Sequence, residues 1–134
     1  MVSRANITFS AILLITLLVI CSTLSACTQN NRIEITASPN VLNLESNGGA
    51  FTIHTDIRYD TDQNVKVYLN GNMDSVSILS TFADSRGDLV VRCDILDVKE
   101  EALEGSVTVK LTVRTADGIL HSGTDIIDII NTGK

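Results

Sequence analysis

The chain is short of basic residues, and this shortage excludes several kinds of partner. Its 134 residues include ten Lys and Arg against 16 Asp and Glu. From residue 28 onward there are nine basic residues and all 16 acidic ones, so this part carries a net charge of −7. A nucleic-acid-binding protein needs clustered basic residues to neutralise phosphates, and electrostatic docking on anionic lipid needs them too. The composition therefore argues against both partners and indicates an acidic, solvated surface.

Histidines and catalytic motifs are also scarce. The two histidines, His54 and His121, have no metal-ligand spacing to a cysteine or to each other, so we expect both at the surface. His121-Ser122 lacks the Gly-x-Ser-x-Gly pattern of a nucleophile elbow. The sequence therefore predicts a protein that is not an enzyme and has no cofactor, although a triad assembled from distant Ser and Asp side chains stays open.

The first 26 residues are organised like an export signal. Residues 1–6 carry one charge, Arg4, residues 7–20 are almost wholly apolar, and residues 21–26 are mostly small. A charged start, an apolar middle and a small-residue end are typical of a secretory signal peptide. The alternative is a permanent transmembrane helix, since residues 7–26 approach the roughly 20 residues that a bilayer requires. The small residues at the end favour cleavage.

The segment Leu24-Ser25-Ala26-Cys27 resembles the lipobox of bacterial lipoproteins, an aliphatic residue and two small residues before a cysteine. The resemblance implies cleavage between Ala26 and Cys27 and a lipid on the Cys27 sulfur, with residues 27–32 as the lipidated cysteine and a short tether. One acyl chain holds a protein only marginally, so two or three chains are needed for a durable anchor. The resemblance places the protein on the outer membrane of a two-membrane bacterium, or otherwise on the outer face of the cell membrane.

The cysteine count excludes an intramolecular disulfide framework in the mature chain. Of three cysteines, Cys21 leaves with the signal and Cys27 carries lipid, so only Cys93 remains as a free thiol. Alternation over residues 89–95 places Cys93 on the apolar face of a strand, and we expect a small buried core residue. A reactive thiol or an intermolecular disulfide is the alternative.

Apolar and polar residues alternate from Ile33 onward, as in half-buried strands, and no long helical period appears. Asp97 followed by Glu100 predicts a capping pair for one helical turn. Asp117-Gly118 is the strongest hairpin signal, and Gly123 predicts a kink in the last strand. Few aromatic residues are present, so Ile, Val and Leu must form the core. The pattern predicts one all-β domain over residues 33–134, an antiparallel immunoglobulin-like sandwich of about seven strands.

Three further segments resemble an immunoglobulin-like module that recurs in exported microbial proteins. They are residues 38–49, Leu69-Asn70-Gly71 and the pair Asp117-Gly118 with Gly123-Thr124-Asp125. The resemblance covers about residues 36–130. It implies an accessory or binding module of a surface protein, with no catalytic residues to transfer.

Two groups of side chains are candidates for binding. Tyr59 and Tyr68 are the interface candidates, because tyrosine is favoured at protein interfaces. Asp56, Asp60 and Asp62 follow one strand closely and are weak candidates for a calcium site, although their spacing does not match an EF-hand loop. The leading expectation is a lipid-anchored envelope protein whose domain binds a protein or glycan partner. The alternatives are a structural or assembly accessory lipoprotein without a specific ligand and, third, a small envelope enzyme.

Overall fold

The computed structural model describes residues 31–71 and 76–133, and within them β-strands dominate. The strands are β1 (Ile35–Ser38), β2 (Val41–Asn43), β3 (Phe51–Arg58), β4 (Asn64–Leu69), β5 (Ile78–Ala83), β6 (Asp88–Cys93), β7 (Gly105–Arg114) and β8 (Leu120–Ile130), and one helix, α1 (Ile95–Glu101), lies between β6 and β7. The prediction of an all-β fold is confirmed. In these residues no helix has the length and apolar character needed to cross a membrane.

The strands form two four-stranded sheets. The first sheet has the order β1-β3-β6-β5 and the second sheet has the order β2-β8-β7-β4. Neighbouring strands are antiparallel except for β2 and β8, which run in parallel with Val41 opposite Asp128. The expected antiparallel arrangement therefore has one exception. It arises because the chain leaves the first sheet at Pro39 and joins the second sheet alongside its last strand.

The core lies between the inner faces of the two sheets, and alternation determines which residues enter it. On β7 the inward set Val107, Val109, Leu111 and Val113 is completely or almost completely buried. Apart from Phe51 and Cys93, the buried core residues are aliphatic. Each fully buried Val, Leu or Ile side chain contributes roughly 1.5–3 kcal/mol relative to an exposed one. Aliphatic packing thus compensates for the shortage of aromatic residues, as the composition predicts.

The segment before β1 already lies on β8. The amide of Ile33 donates to the Ser122 carbonyl, and the amide of Ser122 donates to the Asn31 carbonyl, both at 3.0 Å. A Cβ atom on Gly123 would lie 2.6 Å from the Ile33 carbonyl oxygen, so only glycine permits this approach. No bulge interrupts β8 at Gly123, because the strand keeps its register with β7 through this residue. Asn31 and Arg32, assigned to the tether above, belong to the folded unit.

Helix α1 connects the first sheet to the second, and it begins earlier than the sequence predicts. The residue that caps it is Asp94, whose carboxylate accepts a hydrogen bond of 2.9 Å from the Leu96 amide. Asp97 instead accepts a hydrogen bond of 3.0 Å from the Ser77 amide, and hydrogen bonding to Ser77 lowers the pKa of the Asp97 carboxyl group. The predicted capping pair of Asp97 and Glu100 is therefore wrong. Asp97 lies inside the first turn of the helix, and its carboxylate binds the distant Ser77 amide instead of capping the helix.

Candidate functional site

The residues predicted for export and anchoring lie outside the described part of the chain. These are Leu24, Ser25, Ala26 and Cys27. The geometry that follows concerns the domain alone.

The two candidate tyrosines lie in different environments. Tyr59 follows β3, is partly buried and packs against the core. Its amide donates a hydrogen bond of 3.0 Å to the Gly87 carbonyl, which fixes the backbone at this point. Tyr68 lies on β4 between the inward residues Val67 and Leu69, so its half-buried ring is on the outer face of the second sheet. The structure does not bring the two rings to one surface, and Tyr68 lines a groove.

Two of the three acidic candidates for calcium, Asp56 and Asp60, accept backbone hydrogen bonds through their carboxylates. The Asp56 carboxylate accepts from the Glu34 amide at 2.9 Å, and the Asp60 carboxylate accepts from the Asp62 amide at 3.1 Å. Within residues 31–71 and 76–133 no group of three His, Cys, Asp or Glu side chains has the geometry to hold a metal ion. The loop therefore presents separate carboxylates and not a converging set.

The titratable groups that could serve as nucleophile or base are also placed separately. Cys93 is completely buried, and this burial raises the pKa of its thiol to about 12, with a smaller contribution from the Asp97 carboxylate. A thiol with this pKa is not ionised at neutral pH and is a poor nucleophile. His54 is exposed on the outer face of β3 in the first sheet, opposite Val90, whereas His121 is half-buried on β8 in the second sheet, opposite Val113.

A cluster of basic residues occupies the outer face of the second sheet. Lys66 on β4 is paired with Thr112 on β7. Lys110 and Arg114 lie two residues to either side of Thr112 on the same strand, so both are diagonal neighbours of Lys66. Tyr68 is paired with Lys110 and completes the surface. We refer to Lys66, Lys110, Arg114 and Tyr68 as the basic face.

The β7–β8 hairpin positions one member of this face. The predicted turn at Asp117-Gly118 is confirmed, with the Thr115 amide donating to the Ile119 carbonyl at 2.9 Å. A guanidinium nitrogen of Arg114 donates to the Gly118 carbonyl at 3.1 Å. This bond holds the guanidinium beside the hairpin and leaves its other N–H groups available.

A groove of about 400 Å³ runs along the basic face. It is lined by Asn64, Lys66, Tyr68, Thr112, Arg114 and Leu120. Clefts of roughly 300–1,000 Å³ are the usual size for small-ligand sites. The lining combines two cationic groups, an aromatic ring, a hydroxyl and an amide, which can bind an anionic group and neighbouring polar atoms.

The basic face has no acidic counterpart in the part of the chain that the structure describes. There, the ion pairs within 4.0 Å both involve Arg86, with Asp84 and Asp88. Asp128 is the acidic residue on the outer side of the same sheet, near its far end, and its carboxylate accepts from the Ser106 hydroxyl at 2.8 Å. Among the residues that the structure describes, the basic face is therefore a positive patch without an ion-pair partner.

Sequence reasoning identified only part of this surface. Alternation places Lys110 and Arg114 outward on their strand, and Tyr68 was singled out as an aromatic residue. Lys66 joins them because β4 pairs with β7 across more than 40 residues of chain, and a register of that range is not encoded in any local pattern. The local sequence indicates only that the Lys66 side chain points outward, because it lies between the apolar residues Val65 and Val67 of the same strand.

Comparison of the chain with protein-family models, with curated proteins and with solved structures gave no match. The function is therefore argued from the motif at Cys27 and from the surface of the domain.

Proposed function

We propose that the protein is a lipid-anchored cell-envelope lipoprotein whose non-catalytic, immunoglobulin-like domain binds a protein or glycan partner through the basic face. The observation that carries the binding proposal is the set of three cations beside the half-buried Tyr68, of which Lys66 and Arg114 line a groove. Among the described residues none of the three has an ion-pair partner within 4.0 Å. Isolated charges of one sign on a surface are suited to steer and hold a partner of the opposite sign.

The strand order supports the immunoglobulin-like assignment. In a constant-type immunoglobulin domain, the sheets have the strand orders A-B-E-D and G-F-C. The first sheet has the order β1-β3-β6-β5, and the second contains the order β8-β7-β4. If β2 is left out and the other seven strands are lettered A to G along the chain, these orders become A-B-E-D and G-F-C. The strand β2 adds a fourth member beside β8, and α1 occupies the E–F connection. The agreement concerns topology, and function has to be argued from the surface.

The anchor proposal rests on the motif from Leu24 to Cys27 and on the distance from it to the domain. Asn31 is four residues after Cys27, and an extended chain of that length spans only about 14 Å. Asn31 is hydrogen-bonded to Ser122, next to the β7–β8 hairpin. A lipid on Cys27 would therefore hold the hairpin end of the domain, where Arg114 lies, close to the membrane.

The competing function is a structural or assembly accessory lipoprotein without a specific ligand, and a small envelope enzyme is third. The basic face favours binding over the accessory role, because three basic side chains placed together repel one another unless a partner relieves the repulsion. The separation of Cys93, His54 and His121 gives no support to an enzyme.

Photo-cross-linking in intact cells tests the binding function for protein and glycan partners alike. A photo-reactive residue replaces Thr112 on the floor of the groove or, as a matched control, the half-buried Thr52 on the outer face of the first sheet. We expect a discrete adduct from position 112 and none from position 52, and Tyr68→Ala should abolish it. Absence of any adduct at position 112, or equal adducts at both positions, would support the accessory role instead.

A further inference from the structure

We propose that the basic face binds an acidic oligosaccharide along its groove, with Lys66 and Arg114 of the groove and the adjacent Lys110 on its carboxylates, and with the Tyr68 ring against a sugar ring. This inference rests on the proposed function and names the class of partner. It follows from the charge of the face, the spacing of its cations and the state of the neighbouring strand edge.

The charge of the face selects an anionic ligand. Residues 28–134 carry a net charge of −7, yet three of their nine basic residues are Lys66, Lys110 and Arg114. In the described residues no carboxylate lies within 4.0 Å of these three. A ligand with negative charge would relieve the repulsion among them, whereas a neutral one would not.

The spacing of the cations selects an extended ligand. Lys110 and Arg114 are four residues apart on β7, which corresponds to about 14 Å along an antiparallel strand. Lys66 lies opposite Thr112, midway between them on the neighbouring strand. A single carboxylate or phosphate placed at one end of this row is too small to contact the other end. A chain with a negative charge on successive units matches the row.

The edge of β4 favours a sugar chain over a peptide strand. An added peptide strand would pair with the free edge of β4, but the Val76 amide already donates to the Val67 carbonyl at 2.9 Å. The chain itself therefore occupies one position of this edge, whereas the side-chain surface of the groove is open. There the Tyr68 ring offers an apolar face, and the Thr112 hydroxyl and Asn64 amide offer hydrogen bonds to sugar hydroxyls.

An anionic bilayer fits this surface less well. A flat membrane surface faces the domain as a whole, and its negative potential repels the net charge of −7 on residues 28–134. An oligosaccharide can contact the groove alone. The observations therefore favour a soluble or extended acidic glycan over lipid headgroups.

The test uses the full chain, purified in a neutral detergent, and isothermal titration calorimetry. The probes are oligomers of galacturonic, glucuronic and mannuronic acid, and each is compared with its methyl ester, which has the same rings without the charge. We expect at least one acidic oligomer to bind and its ester not to bind. Raising the salt from about 50 mM to about 500 mM should weaken binding, because this shortens the screening length severalfold.

Variants assign the binding to the basic face. Lys66→Gln combined with Lys110→Gln removes two cations and leaves the Arg114–Gly118 contact intact, and we expect at least about a tenfold loss of affinity. Lys66→Gln with Arg114→Gln should lose as much. Arg92→Gln, an exposed cation on the outer face of the first sheet, is the control and should retain the wild-type affinity.

Several results would overturn the inference. They are no binding of any acidic oligomer, equal binding of the esters, an equal loss in Arg92→Gln, or binding to phosphatidylglycerol vesicles that is lost in the same double variants. An adduct at position 112 without acidic-oligomer binding would leave the proposed function standing and refute only the acidic-glycan inference.

Discussion

At the scale of single residues, burial determines what the side chain of Cys93 can do. The residue lies on the inner side of β6 in the aliphatic core. Removal from water favours the neutral thiol over the thiolate, and the Asp97 carboxylate adds in the same direction, so the pKa rises from 9.0 to about 12. The expectation of a buried core thiol is consistent with this position.

The raised pKa of Cys93 predicts a loss of stability at alkaline pH. Below pH 9 the thiol is neutral in both states, and between about pH 9 and 12 only the unfolded chain ionises it. Because the unfolded state then binds fewer protons, the free energy of unfolding falls as the pH rises. We expect the stability advantage of the wild type over Cys93→Ala to shrink across this range in urea denaturation.

The control for this prediction is labelling of the Cys93 peptide by a thiol reagent, read by mass spectrometry. Labelling should be slow in the folded protein and fast in urea. Parallel stability curves for the two proteins, together with rapid labelling of the folded chain, would place the thiol at the surface.

At the scale of elements, α1 depends on its cap. The helix has seven residues, and a short helix has few intrahelical hydrogen bonds to offset a lost one. Replacing an Asp cap by Ala costs about 1 kcal/mol, so Asp94→Ala should lower the free energy of unfolding by about that amount. The exposed Glu100 is the control, and Glu100→Ala should change stability by less than about 0.5 kcal/mol. A larger loss in Glu100→Ala than in Asp94→Ala would show that the helix begins at Asp97, as the sequence pattern suggests.

The sequence predicts those elements that depend on interactions between residues close together in the chain. The strand β7 and the hairpin that follows it are visible as alternation and as Asp117-Gly118, because side-chain period and turn geometry are short-range properties. The parallel pairing of β2 with β8 and the meeting of Lys66 with Lys110 are not visible. Both depend on which distant strands become neighbours, and many registers satisfy the same alternation. The packing of Tyr59 against the core is not visible either, since its neighbours come from the fold.

At the scale of the whole molecule, the account joins an anchor to an acidic domain with one basic face. Asn31 and Ile33 lie on β8 next to Gly123, so the start of the domain is fixed at the hairpin end. A lipid on Cys27 would hold that end near the membrane. Without the lipid, the net charge of −7 would repel residues 28–134 from an anionic membrane.

The chemical state of Cys27 is the measurement that tests the central claim most directly. The full chain is expressed in a bacterial host, the membrane fraction is isolated, and the N-terminal peptide is analysed by mass spectrometry. The account predicts a mature chain that begins at Cys27 with a diacylglycerol thioether, and an uncleaved precursor in Cys27→Ala. An unmodified peptide spanning Ala26 and Cys27 in the wild-type membrane fraction would contradict it.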